Sequence, residues 1–96
     1  MSRWLLEKRL SASAERLKRL RSELQVVDEQ LAHLAEAADE SRLRALVSET
    51  PVADREHQEA QKHADAMGHH RERLIAAIAE VEQSQDQLLD RLLAEH

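Results

Sequence analysis

Apolar residues recur at alternating steps of four and three along almost the whole of this chain, and its one proline, Pro51, divides the pattern in two. Such spacing returns side chains to one stripe of a helix, so a sustained run specifies a helix that buries that stripe against another helix. In the first half Leu10, Leu17, Leu24, Leu31, Ala38 and Ala45 stand seven apart. Leu6, Leu20, Val27 and Leu34 fill the second seam position, with Ser13 and Ser41 as polar interruptions. In the second half Ala60, Ala64, Met67, Leu74, Ile78, Val81, Leu88 and Leu92 follow the same alternation, with Arg71 and Gln85 between them. A polar seam residue costs stability and can fix register. The plainer reading of Arg71 is a packed stem with its head in water.

Thr50-Pro51 is where the two runs meet. Proline is tolerated at the first position of a helix and threonine is a good cap just before it. The chain is therefore expected to be all-α, a long antiparallel helical hairpin in the form of a two-helix coiled coil. The expected organisation is a single domain over 1–96, with helix 1 at about 3–47, a turn at about 48–50 and helix 2 at about 51–94. Residues whose numbers add to roughly 100–102 then face each other across the seam. Leu10 and Leu17 meet the 85–92 region, Leu24 meets the neighbourhood of Ile78, and Ala38 meets Ala64.

Charge supports that orientation. The net charge is −5, but residues 1–21 carry seven Lys and Arg against two Glu. The other end is acidic, with Glu80, Glu82, Asp86, Asp90 and Glu95 against Arg91. An antiparallel fold sets the basic start beside the acidic end, whereas a parallel pairing of identical chains opposes like charges. Exposed ion pairs contribute only about 0–1 kcal/mol each, so they select orientation more than they stabilise.

The seam is rich in Leu near the termini and rich in Ala near the turn. The end holding both termini, the root, carries surplus apolar residues beside the seam. Of these Trp4, Leu5, Leu89 and Leu93 are the candidate partner-binding set. They suit either self-association into a four-helix bundle or docking on a different protein, since a chain with no Phe or Tyr and one Trp has little bulk with which to build a core alone. The turn end, the tip, offers Glu49, Asp54, Arg55 and Glu56 as a second candidate surface. Two local expectations accompany this. Asp39 and Ser41 are poor helix formers that can cap a new segment, so residues 42–47 are expected to form a final turn offset from the main helix. Gly68, inside the second helix, is expected to permit close approach of the first.

The residues argue against self-contained chemistry. There is no cysteine, which removes disulfides and thiolate metal sites. His57, His63, His69 and His70 are separated by six, six and one, whereas a helix that chelates a metal needs spacings of three or four. One glycine cannot make a phosphate-binding loop, and a two-helix hairpin has no enclosed pocket in which to shift a carboxylate pKa. The reading is no enzyme, no metal and no cofactor. Arg16, Lys18, Arg19 and Arg21 form a candidate basic patch, yet the overall acidity and the lack of stacking aromatics speak against direct nucleic-acid binding. No apolar run reaches the roughly 18 residues needed to span a bilayer, and the cytoplasm is the simplest compartment.

The segment 53–60, Ala-Asp-Arg-Glu-His-Gln-Glu-Ala, resembles the post-tip helix of Gre-type factors, helical hairpins that insert an acidic tip into the secondary channel of RNA polymerase. The resemblance covers that segment and not the second, globular domain of those factors. It implies, as an analogy of mechanism, a small regulator that binds RNA polymerase or the ribosome through the acidic tip or the basic first helix. The first expectation is a non-enzymatic interaction or adaptor protein that docks on a larger protein partner, as a homodimer or within a hetero-complex.

Overall fold

The computed structural model describes residues 2–94. Met1, Glu95 and His96 lie outside the described residues, and with them the contribution of Glu95 to the acidic end. The chain forms two helices, α1 (Arg3–Ser48) and α2 (Pro51–Ala94), and is all-α. They run antiparallel as a helical hairpin. The pairs Arg21–Glu82, Asp28–Arg71 and Ser41–His57 join rising numbers on α1 to falling numbers on α2. All three lie within one helical turn of the register expected from the sequence.

Each helix begins at a hydroxyl cap. Ser2 Oγ accepts a hydrogen bond from the Leu5 N–H at 3.2 Å, and the Ser2 carbonyl accepts one from the Leu6 N–H at 3.0 Å. Thr50 does the same for α2. Its Oγ1 accepts from the Ala53 N–H at 3.2 Å and its carbonyl from the Asp54 N–H at 3.1 Å. Pro51 takes the first helical position, where its missing N–H leaves no bond unmade. Asp54 adds a negative charge to the first turn of α2, at the positive end of the helix dipole.

α1 ends one residue beyond its expected limit. The Glu49 N–H closes a last hydrogen bond to the Ala45 carbonyl at 3.1 Å, and Glu49 itself has φ 52°. That left-handed conformation terminates many helices and is usually filled by glycine. For a residue with a side chain it costs about 1–2 kcal/mol.

α1 is not broken at Asp39–Ser41, so the offset turn expected over 42–47 does not form. Ser41 is buried, and its Oγ donates to the Ala38 carbonyl one turn back at 2.8 Å. A serine that can bond back along its own helix stays helical instead of capping a new one.

Contacts divide the chain into two units, each drawn from both helices. The first is Met1–Leu24 with Arg73–His96. Its buried seam is Leu6, Leu17, Leu74, Val81 and Leu88, and Leu6 is completely inaccessible at 0%. The second unit is Gln25–Glu72. Its buried residues are Val27, Ala38, Ser41, Ala53 and Ala64. Burying a Leu stabilises by about 1.5–3 kcal/mol and an alanine methyl by about 0.8. The second unit therefore gains less per seam layer than the first.

Gly68 does not serve a close approach. A Cβ built there meets nothing within 4 Å, and the backbone has no positive φ. Glycine in such a place only adds freedom to the unfolded chain. Gly68→Ala is accordingly expected to stabilise the fold by about 0.5–1 kcal/mol. Glu49→Gly is expected to stabilise by a similar amount, about 0.5–1 kcal/mol, by removing the left-handed strain. Midpoints of urea unfolding at unchanged slope check both; a loss of stability in either variant contradicts the geometry described.

Candidate interaction surfaces

In the first unit Arg21 Nη2 lies 3.7 Å from Glu82 Oε2, which marks one flank of the seam. Seven residues beyond Glu82 the same flank carries Leu89, and four further on Leu93. Counting back from Arg21 by alternating steps of three and four reaches Trp4 on that flank, whereas Leu5 falls on the opposite one. By helical period three of the four root residues thus share one flank. Trp4, Leu89 and Leu93 are 65%, 44% and 69% exposed, so the seam does not absorb them. The Lys8 ammonium sits 5.4 Å from the centre of the Trp4 ring, which shields part of one face by a cation–π contact.

The opposite flank of this unit is different in kind. Ser13 occupies a seam position where leucine would fill the space, and a hollow of about 310 Å³ opens there, lined by Arg9, Ala12, Ser13, Arg16, Ser84 and Leu88. Arg16 faces this hollow. The candidate basic patch is therefore split by the helix period. Arg16 and Arg19 belong to this flank, and Lys18 and Arg21 to the one marked by Glu82. All four are exposed, and Arg21 is the member already paired with an acid.

In the second unit Glu49, Asp54, Arg55 and Glu56 are all exposed, as expected of a tip. Four large aliphatic residues are exposed with them: Leu43 63%, Leu46 65%, Val47 85% and Val52 62%. None of these four is among the tip residues read from the sequence. The signal for them was the seam itself. Ala38, Ser41 and Ala45 keep the four/three alternation without a break, and Leu43 and Leu46 lie between its steps.

Two polar pairs tie the helices of this unit together. Arg71 occupies a half-buried seam position and its Nε donates to Asp28 Oδ1 at 2.5 Å, with both side chains nearly half exposed. Its head thus goes to a carboxylate on α1 and not simply to water. Deeper in the tip, Ser41 Oγ lies 3.2 Å from His57 Nδ1. The hydroxyl and the ring nitrogen are within hydrogen-bond distance, and which of them donates follows the tautomer of the imidazole. Ala53 is one of the alanines that make the seam Ala-rich near the turn, whereas His57 was not counted among the seam residues in the sequence. Both fall on the backward continuation of the steps from Ala60 and Ala64.

The remaining histidines do not converge. His63 and His70 line a shallow apolar hollow of about 420 Å³ with Leu34, Ala66 and Met67. Among the described residues no group of three or more His, Asp or Glu is arranged to hold a metal ion. Among them, too, no helix is long and apolar enough to cross a membrane. No family model, no curated protein and no solved structure matches this chain.

A double-mutant cycle tests the tip contact. Ser41→Ala and His57→Ala, singly and together, should give a coupling of about 0.5–1.5 kcal/mol in unfolding free energy. Additive effects would show that the two side chains act independently.

Proposed function

We propose that the chain is a non-enzymatic interaction module that docks on a larger protein partner through its root. One observation carries this reading. Trp4, Leu89 and Leu93 share a flank and remain largely exposed although the seam beside them is filled. Aromatic and aliphatic side chains left in water beside a completed core are the usual anchors of an interface. Its rim is polar: Asp86, Asp90 and Lys8 surround the apolar residues. A cytoplasmic setting and the absence of cofactor and catalytic residues belong to the same proposal.

A second reading is favoured by the tip. Its exposed aliphatic residues stand among Glu49, Asp54, Arg55 and Glu56, a mixed charged and apolar surface suited to a regulator that contacts RNA polymerase or the ribosome.

Affinity capture from the native cell with the full chain separates the two. Leu89→Glu with Leu93→Glu should lose the captured partner almost completely while helicity measured by circular dichroism is kept, because neither residue is among the buried ones of the seam. If the variant retains the partner and Leu43→Glu with Leu46→Glu loses it, the tip is the docking site. Recovery of neither RNA polymerase nor ribosomes would remove the second reading.

A further inference from the structure

The hollow beside Ser13 gathers hydrogen-bond donors that the fold itself does not use. Arg9, Ser13 and Arg16 stand at steps of four and three on α1, and Ser84 of α2 completes the polar lining. A second hollow of about 250 Å³ adjoins the first, sharing Ser13, Arg16 and Ser84 and adding Glu80 and Val81. Ser13 is half-buried at a seam position, where an apolar side chain would stabilise more. Ser41, the other seam serine of α1, bonds back to its own helix. Among the described residues, Ser13 and Ser84 make no side-chain hydrogen bond, and Arg9 and Arg16 make no ion pair. The surrounding flank is basic. Within the first unit the helical period assigns to it Arg9, Arg16, Arg19, Arg73 and Arg91 against two acids, Glu23 and Glu80. Glu80 reaches the second hollow and still leaves Arg16 unpaired.

We propose that this hollow binds the phosphate group of a small phosphate ester, clamped between Arg9 and Arg16 and held by the hydroxyls of Ser13 and Ser84. Two helical turns separate the arginines, about 10 Å along α1. Their long side chains therefore reach the space over Ser13 from opposite ends. The donor set selects phosphate over carboxylate. Each guanidinium can give two parallel N–H bonds and each serine one O–H, about six donors in all. A carboxylate accepts at about four lone-pair sites on two oxygens. A phosphate monoester brings three strongly accepting oxygens and close to two negative charges, enough for both arginines. The hollow is wider than one phosphate, and Ala12 and Leu88 give it an apolar wall on which the organic part of the ester can lie. This flank is the one opposite Trp4, Leu89 and Leu93, so a bound ester and a docked protein do not compete. The proposal stands apart from the docking reading, and neither depends on the other.

Calorimetric titration of the full chain with inorganic phosphate, phenyl phosphate and acetate tests this. Both phosphates should saturate one site per chain, phenyl phosphate more tightly because of the apolar wall. Acetate should not saturate at concentrations up to about 10 mM. Arg9→Gln and Arg16→Gln should each weaken phosphate binding about tenfold or more, since each removes charged hydrogen bonds. Glu80→Gln should tighten it by removing the nearest negative charge. Lys18→Gln makes the same change in net charge on the other flank and should leave binding unaltered. Arg9, Arg16, Lys18 and Glu80 are exposed, and circular dichroism verifies that each variant is folded. Failure of both phosphates to saturate overturns the site. Acetate binding as tightly as phosphate overturns the assignment to a phosphate group, and phenyl phosphate no tighter than inorganic phosphate overturns the ester. Equal losses in Lys18→Gln and Arg16→Gln would show attraction by diffuse charge in place of a site, which also overturns the proposal.

Discussion

Everything in this protein depends on one seam between two antiparallel helices. Two helices have no third layer to cover their outer faces, so each can bury only a single stripe. That stripe must stay in register along both helices, because a slip would turn polar residues inward. The four/three alternation supplies the stripe, and the helix caps at Ser2 and Thr50 define where each helix enters it. The Thr50-Pro51 junction does this with very few atoms. A left-handed Glu49 ends one helix and a threonine hydroxyl starts the next.

Apolar seams of similar residues are permissive about register, and the polar positions reduce that freedom. Arg71 has one carboxylate on α1 to reach, that of Asp28. His57 has the Ser41 hydroxyl. Each pair sits in the second unit, where the seam is built on alanine and apolar burial discriminates least between alignments. The exposed ion pair adds little stability, but a shifted alignment would separate both pairs at once. Specificity here comes from directional contacts placed where the hydrophobic term is weakest. The first unit relies instead on leucine, with Leu6 excluded from water altogether.

How far the sequence foretold this depended on how strongly each residue type reports its environment. Leucines at seven-residue spacing have one simple explanation, so the seam and the helix boundaries were legible. Histidine is equally at home on a surface, so His57 went uncounted although it continues the same steps. Ser41 was misread because serine's preference for caps is a statistical tendency, whereas its actual bond to the Ala38 carbonyl depends on staying in the helix. Gly68 was misread for a related reason. A glycine beside a seam suggests close packing, but open space around it shows no such demand. The candidate sites were legible as residue types and not as surfaces. Only the helix period, anchored by the Arg21–Glu82 pair, separates Leu5 from Trp4, Leu89 and Leu93 and divides the basic patch between two flanks.

That division bears directly on what the outer faces can do. A basic patch spread over four side chains of one helix would favour any polyanion, but the arginines here are dealt to opposite flanks and Arg21 already faces Glu82. Lys18 and Arg21 share their flank with Glu82, and Asp39 and Glu40 stand one turn before the exposed Leu43 on α1, so acid and base are mixed on both outer surfaces. Each of these surfaces carries exposed aliphatic residues that the seam does not need. Apolar area supplies the drive for association without direction. Mixed charge beside the exposed leucines leaves the apolar side chains themselves as the anchors of an interface.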